Sequence, residues 1–277
     1  RDSVMCRGLG DVYKRQVDFR SGIADGKTTG EEIEISIANK DAKSRDYSFL
    51  PAHPRPGHQD MVMHKRTNGD ADLRGGGSSS ARLTAALVAS AALLSPLLNR
   101  LNVVCEAHVG AIGQVEAKEM SQCPPRWENE ASKEMRCRDP VAALAMVKTV
   151  EQHRMQRNSI GSRVDLQITG LPLGLGEPWF DGLEPALARA MIAIPAARGV
   201  TFGRGFGVVA MTGLEHNDPW GGTAEHPLLT GEKPDGVIAG LATGSPIHVS
   251  VAFKPPSSIA SEQHTLNLET NTVEPLV

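Results

Sequence analysis

The chain is poor in aromatic residues, which make up 4% of its 277 positions. With so few ring faces, a base-stacking platform for nucleic acid is not expected. It also lacks a charge excess: 29 Lys and Arg stand against 32 Asp and Glu, a net charge of −3. Neither nucleic acid nor an acidic membrane surface is therefore indicated as a partner. An anionic ligand has to be held by local arginines, not by overall charge. Cysteine is scarce: there are four, at positions 6, 105, 123 and 137, with no Cys-x-x-Cys pair and no signal-peptide pattern. They read as reduced thiols of a cytosolic protein. Cys105-x-x-His108 has half-site spacing, but without a second pair no zinc site is expected. Long apolar runs are missing too. The uncharged run of residues 83–99 falls short of the ~20 residues of a membrane span and contains Ser90, Ser95 and Pro96. It is expected to be a buried core helix.

What is present is ordinary for a globular protein: 40% hydrophobic and 22% charged residues, in a length that suits one large domain or two small ones. Residues 1–16 follow neither a strand nor a helix period and are expected to be a leader foreign to the fold, with residues 17–277 forming one domain. Residues 31–37 alternate polar and apolar, behind an Asp25-Gly26 turn, as a half-buried strand does. Residues 39–66 carry three prolines and three histidines and read as a long functional loop. Helices are expected at 81–98, at 141–157 with Leu144, Val147 and Val150 inward, and along the face Leu183, Leu187, Ala190, Met191 and Ile194. Asp181-x-x-Glu184 ahead of that last face has the spacing of a capping box. Strands are expected over 103–104 with 107–109, at 163–169, at 208–211, and at 247–253 with Val249, Val251 and Phe253 on one face. Residues 121–139 read as an irregular surface excursion and 170–178 as a rigid loop. Several strands are joined by loops alone, which points to α+β with largely antiparallel sheets.

Chemistry is suggested by Arg74-Gly75-Gly76-Gly77-Ser78-Ser79-Ser80-Ala81-Arg82, a glycine–serine run that empties into a helical pattern. Open backbone N–H groups at a helix start, with an arginine on each side, suit an anion. His58, in Arg55-Pro56-Gly57-His58-Gln59-Asp60, adds a group that titrates near neutrality. The combination points to a phosphorylated or carboxylated ligand. The plainer alternatives are a flexible linker for the glycine run, a solvated first-turn residue for Arg82 and a water-exposed loop histidine for His58. His53 and His64 are assigned to that last role.

The ordered set of motifs resembles chorismate synthase, from about Val17 to the end. The resemblance is carried by Ser21-Gly22 through Thr28-Thr29-Gly30, Arg45-Asp46-Tyr47-Ser48, Arg55-Pro56-Gly57-His58, and the run from Gly75 to Thr84. It continues in Asn158-Ser159-Ile160-Gly161, Gly170-Leu171-Pro172-x-Gly174-Leu175-Gly176-Glu177-Pro178, and Ile194-Pro195-Ala196-Ala197-Arg198-Gly199-Val200. Gly203-x-Gly205-Phe206, Glu215-x-Asn217-Asp218 and Lys254-Pro255-Pro256-Ser257-Ser258-Ile259 complete it. The resemblance implies a β-α-β sandwich with largely antiparallel sheets and flanking helices, assembled as a homotetramer. It implies the anti-1,4 elimination of phosphate from 5-enolpyruvylshikimate 3-phosphate to give chorismate. Reduced FMN is required without net redox change, and NADPH is a possible reductant. A cytoplasmic location is implied, or a plastid one in a plant or alga.

By the same resemblance, Arg55, Arg82 and Ser80 contact the substrate, and His58 is the catalytic histidine beside the flavin. Ser78, Ser79 and Ser80, with Lys254, Ser257 and Ser258, contact FMN. The family pattern is broken at Ser78, where Arg is usual, at Pro256, where Thr is usual, and at Glu232, where Asn is usual. A Gly-Glu-Ser-His-Gly run, an Arg-Arg-Arg-Pro-Gly run and a Gly-Arg-His-Asp-Pro run of the family are not found. The given chain is on this ground expected to be truncated at both ends and weak or inactive. The alternative is a non-catalytic member that keeps a flavin- or anion-binding pocket.

Overall fold

The computed structural model describes residues 17–38, 47–74 and 80–276, so the expected leader and the glycine run with Ser78 and Ser79 lie outside the described residues. The chain divides into two compact units, Arg1–Ser95 with Ser257–Val277, and Pro96–Pro256.

In the first unit, strands Val17–Ser21 and Glu34–Ile37 pair antiparallel, with Val17 opposite Ile37. Between them Ile23–Ala24 and Lys27–Thr28 form a two-residue hairpin. Asp25 and Gly26 both take positive φ, +50° and +72°, the tight turn that Asp-Gly favours. The long loop expected over 39–66 ends in a helix, α1 (Asp60–Arg66). Its acidic first residue and basic last turn complement the helix dipole, a signal masked by the surrounding prolines. A second hairpin pairs Gln263–Leu266 with Val273–Leu276. The helix α2 (Thr84–Arg100), whose residues from Pro96 on belong to the second unit, follows a 3-10 turn, Ala81–Leu83. It contradicts the expected core helix, because none of its residues is buried and Leu87 and Val88 are about two-thirds exposed. The sequence shows a helix apolar all round, but burial also needs a facing surface, which a local window does not contain. At 20 helical residues, Ala81–Arg100 is also long and apolar enough to cross a membrane by length and composition.

The second unit is built on a five-stranded antiparallel sheet in the order Val115–Glu116, Val104–Ile112, Ser162–Thr169, Ile247–Phe253, Ala197–Phe202. Period-2 alternation decides its faces. Ile247, Val249 and Val251 alternate into a core with Ile168 and Val103. The helix face Leu183, Leu187, Met191 and Ile194 packs there as expected. The opposite face is polar, with His108, Asp165 and Ser250 facing one another across three strands. Gly110 marks a bulge in this face, where a Cβ would collide with the Asp165 carboxylate.

Residues 121–139 are not an idle excursion. They contain helix α3 (Glu130–Met135), capped by Asn129, and the buried Ser132 and Cys137. Helix α4 (Pro140–Met155) turns Ala142, Ala143 and Met146 inward, whereas Leu144 and Val150 are exposed. Asp139 sets that phase: its Oδ1 accepts from the N–H groups of Val141 and Ala142 at 3.0 and 3.1 Å, with Pro140 in the first turn. Small residues then allow close approach, which hydrophobicity alone does not reveal. The capping box expected at Asp181 and Glu184 does not form. Asp181 ends a 3-10 turn, and Gly182 precedes helix α5 (Leu183–Ile192) without a side-chain cap. A capping box does occur at Thr212 and Glu215, before the short helix α6 (Gly213–His216). The strand expected at 208–211 is a 3-10 segment, Gly205–Ala210, with Val209 left exposed.

Candidate active site

Two sequence strings 200 residues apart meet in the first unit, in a cleft of about 140 Å³ lined by Arg55, His58, Ser257 and Ser258 among others. His58 Nδ1 lies 3.0 Å from the carbonyl oxygen of Pro56, and Nε2 lies 3.0 Å from Ser258 Oγ. Ser257 Oγ donates to the carbonyl of Gly57 at 3.1 Å. Gly57 holds φ at +70°, and a Cβ there would stand 2.8 Å from that hydroxyl. Glycine is thus required both by the left-handed backbone and by the closeness of the serine.

Arg55 is braced from below. Its Nε donates to Asp60 Oδ2 at 2.7 Å and its Nη2 to Oδ1 at 2.8 Å, while its own backbone N–H donates to Oδ2 at 2.9 Å. The guanidinium also lies over the Tyr47 ring, 5.3 Å from its centre. Burial pushes the Asp60 carboxyl up, but the bonds and charge of Arg55 outweigh it and hold the group below the usual carboxylate range. The same bonds raise the Arg55 pKa, so the guanidinium stays charged. Asp60, fully buried, is the residue that fixes Arg55 and that the sequence did not single out. Its signal was the spacing of five from Arg55 at the start of a helix.

Of the other predicted residues, Ser80 caps the 3-10 turn, its Oγ accepting from the Arg82 N–H at 3.3 Å. Neither Ser80 nor Arg82 is among the residues lining this cleft. Lys254 belongs to the second unit, where its backbone N–H donates to Ala196 O at 3.0 Å. His53 is not a solvated loop histidine. Its Nε2 lies 2.9 Å from Glu274 Oε2 on the second hairpin. Asn267, Thr270 and Thr272 also donate to that carboxylate. His53 and these three bring the Glu274 carboxyl down to about 2. His64 is half-buried, with its Nδ1 unpaired among the described residues.

The second unit has its own cleft of about 450 Å³, within the range of small-molecule sites. Arg204, Glu215, Asn217, Asp218 and Glu232 line it. Two quoted stretches, at 203–206 and 215–218, therefore converge there with Glu232. Arg204 occupies the unspecified position of Gly203-x-Gly205 and was not singled out from sequence. Among the described residues no cluster of three or more His, Cys, Asp or Glu side chains has the geometry to hold a metal.

The family model described as chorismate synthase matches residues 13–276. A chorismate synthase of Aeropyrum pernix is 40% identical over 257 residues, 91% of this chain and 67% of that relative. One from Roseiflexus castenholzii is 40% identical over 261 residues, 94% of this chain and 71% of its own length. One from Methanosarcina barkeri is 38% identical over 255 residues, covering 92% and 69%. Among solved structures, a crystal structure of chorismate synthase superposes with a TM-score of 0.71 at 27% identity, over 88% of this chain and 72% of that one.

Proposed function

This chain belongs to the chorismate synthase family and carries that family's function, and we propose that it works on 5-enolpyruvylshikimate 3-phosphate with reduced FMN, through the cleft around His58. The observation that carries this reading is the meeting of Arg55, His58, Ser257 and Ser258 in one cleft. A charged guanidinium, an imidazole and hydroxyl donors form a set that suits an anionic, hydrogen-bonding ligand such as the flavin. Ser257 and Ser258 would contact FMN in this cleft, while the FMN roles of Lys254, Ser78, Ser79 and Ser80 rest on the family motifs alone. Arg55 and Arg82 would hold the substrate's phosphate and carboxylates. Held there, reduced FMN would supply electron density for breaking the C–O bond to phosphate, with no net redox change.

The chain's own residues do the rest. Asp60 fixes the Arg55 fork and keeps it charged, with Leu73 O and Tyr47 as its further partners. Pro56 holds one nitrogen of His58, so the exchangeable proton of the ring is managed at Nε2. A homotetramer and a cytoplasmic location belong to the same proposal.

The test is anaerobic incubation of the chain with substrate and dithionite-reduced FMN, with chorismate and phosphate both quantified. Weak formation of both, lost in His58→Asn, is the expected result for this chain. Binding of reduced FMN without product would support the non-catalytic flavin-binding alternative. Neither binding nor product would overturn the cleft assignment.

A further inference from the structure

We propose that Ser258 is a proton relay between His58 and a bound anion, a role that rests on reading this cleft as the flavin and phosphate site. Hydrogen ownership decides the roles of the two ring nitrogens. The Pro56 carbonyl can only accept, so the proton facing it at 3.0 Å belongs to His58 Nδ1. In the neutral ring Nε2 is then a bare acceptor. The hydrogen between Nε2 and Ser258 Oγ, 3.0 Å apart, must come from the serine. With His58 neutral, Ser258 turns its hydrogen to the ring and shows only lone pairs to the cleft. With His58 protonated, Nε2–H donates to Oγ and the hydroxyl hydrogen is released outward. The serine therefore changes from acceptor to donor, as seen by a ligand, with the charge on the ring.

Ser258 Oγ stands on the Nε2 edge and lines the same cleft as the ring. The adjacent Ser257 bond to Gly57 fixes this stretch against the loop that carries His58. In the transfer step the Nε2–H bond of the imidazolium breaks as Oγ gains that proton. The original O–H bond of Ser258 breaks at the same time, and its proton passes to the ligand anion. One positive charge leaves the ring, one negative charge is neutralised, and Ser258 ends as a hydroxyl donating to Nε2. The ligand class is an anionic hydrogen-bond acceptor, supplied either by a reduced flavin or by a phosphate group.

The charged groups that face His58 are Arg55 and Asp60, which are bonded to each other, and Tyr47 lies under Arg55. The remaining lining residues, Phe49, Pro56, Ile259, Gln263 and Leu276, carry no titratable group. Inorganic phosphate and reduced flavin themselves change charge near neutrality, so only the part of the pH dependence that is lost in Ser258→Ala is assigned to the His58–Ser258 pair.

Two measurements on the full chain test the relay. The first is nitrogen NMR of the imidazoles in ¹⁵N-histidine-labelled protein, with His58 assigned by its loss in His58→Asn. The neutral ring is expected to carry its proton on Nδ1. Ser258→Ala is expected to move the Nε2 resonance and the titration midpoint while leaving Nδ1 in place. A neutral ring protonated on Nε2, or an Nε2 signal indifferent to Ser258→Ala, overturns the relay. The second measurement is binding of dithionite-reduced FMN and, separately, of inorganic phosphate across the same pH range. Affinity is expected to fall about tenfold as His58 loses its proton, less than about twofold in Ser258→Ala, and again about tenfold in Ser258→Thr. The probe that shows this dependence identifies the anion as flavin or phosphate. A pH dependence unchanged in Ser258→Ala overturns the relay. If neither probe binds, the flavin reading fails, and the ring tautomer with its response to Ser258→Ala decides the relay alone.

Discussion

Asp60 and Arg55 show how much a single carboxylate can organise. Asp60 has no exposed surface, yet it stays ionised because three donors from Arg55 converge on it. A buried pair of this kind is costly to break, since one charge is left without its partner. Asp60→Asn is expected to lower stability by about 3 kcal/mol, read as a drop in the thermal unfolding midpoint. A change within experimental error would mean that the pair adds nothing to the loop. From sequence, Arg55 and His58 are visible because arginine and histidine advertise chemistry. Asp60 is less visible because a carboxylate at a helix start has a ready explanation as a dipole partner.

At the scale of elements, the hairpin of Gln263–Leu266 and Val273–Leu276 is fastened by Glu274. Its carboxylate gathers His53, Asn267, Thr270 and Thr272, residues from the hairpin and from the loop ahead of Arg55. These bonds place the folded-state pKa near 2, below the ordinary 4.5. The ionised form is thus favoured by folding, so its contribution is complete above about 4.5 and is lost as pH falls towards about 2. Glu274→Gln is expected to flatten this acid limb, measured as the unfolding midpoint between pH 6 and pH 2.5. Identical acid sensitivity in the variant would show that Glu274 does not fasten the hairpin. Sequence periodicity found the strand at 247–253 and the inward face of α5, since both follow from regular alternation over many residues. It missed the phase of α4, which one carboxylate at Asp139 sets through two backbone N–H groups.

At the scale of the whole molecule, the exposed apolar side chains of α2 are the feature that asks for company. Leu87, Val88, Leu94 and Leu97 are each more than half exposed, beyond what isolated surface residues explain. If the chain assembles as the proposed homotetramer, sedimentation equilibrium should return four times the 29.6 kDa chain mass. A monomer at all concentrations would count against that assembly for this chain.

The sequence by itself determined the α+β class, the antiparallel character of the main sheet and the family. Each is written in patterns that repeat or in strings whose order survives without any knowledge of contacts. It also pointed to His58, Ser257 and Ser258, although as separate strings. Only the tertiary structure decided that these strings face one another, that Pro56 and Ser258 fix the two ring nitrogens of His58, and that α2 stays exposed. The physical reason is range. Periodicity and capping act within a turn or two of the chain, whereas a hydrogen bond spanning 200 residues of sequence depends on the path of everything between.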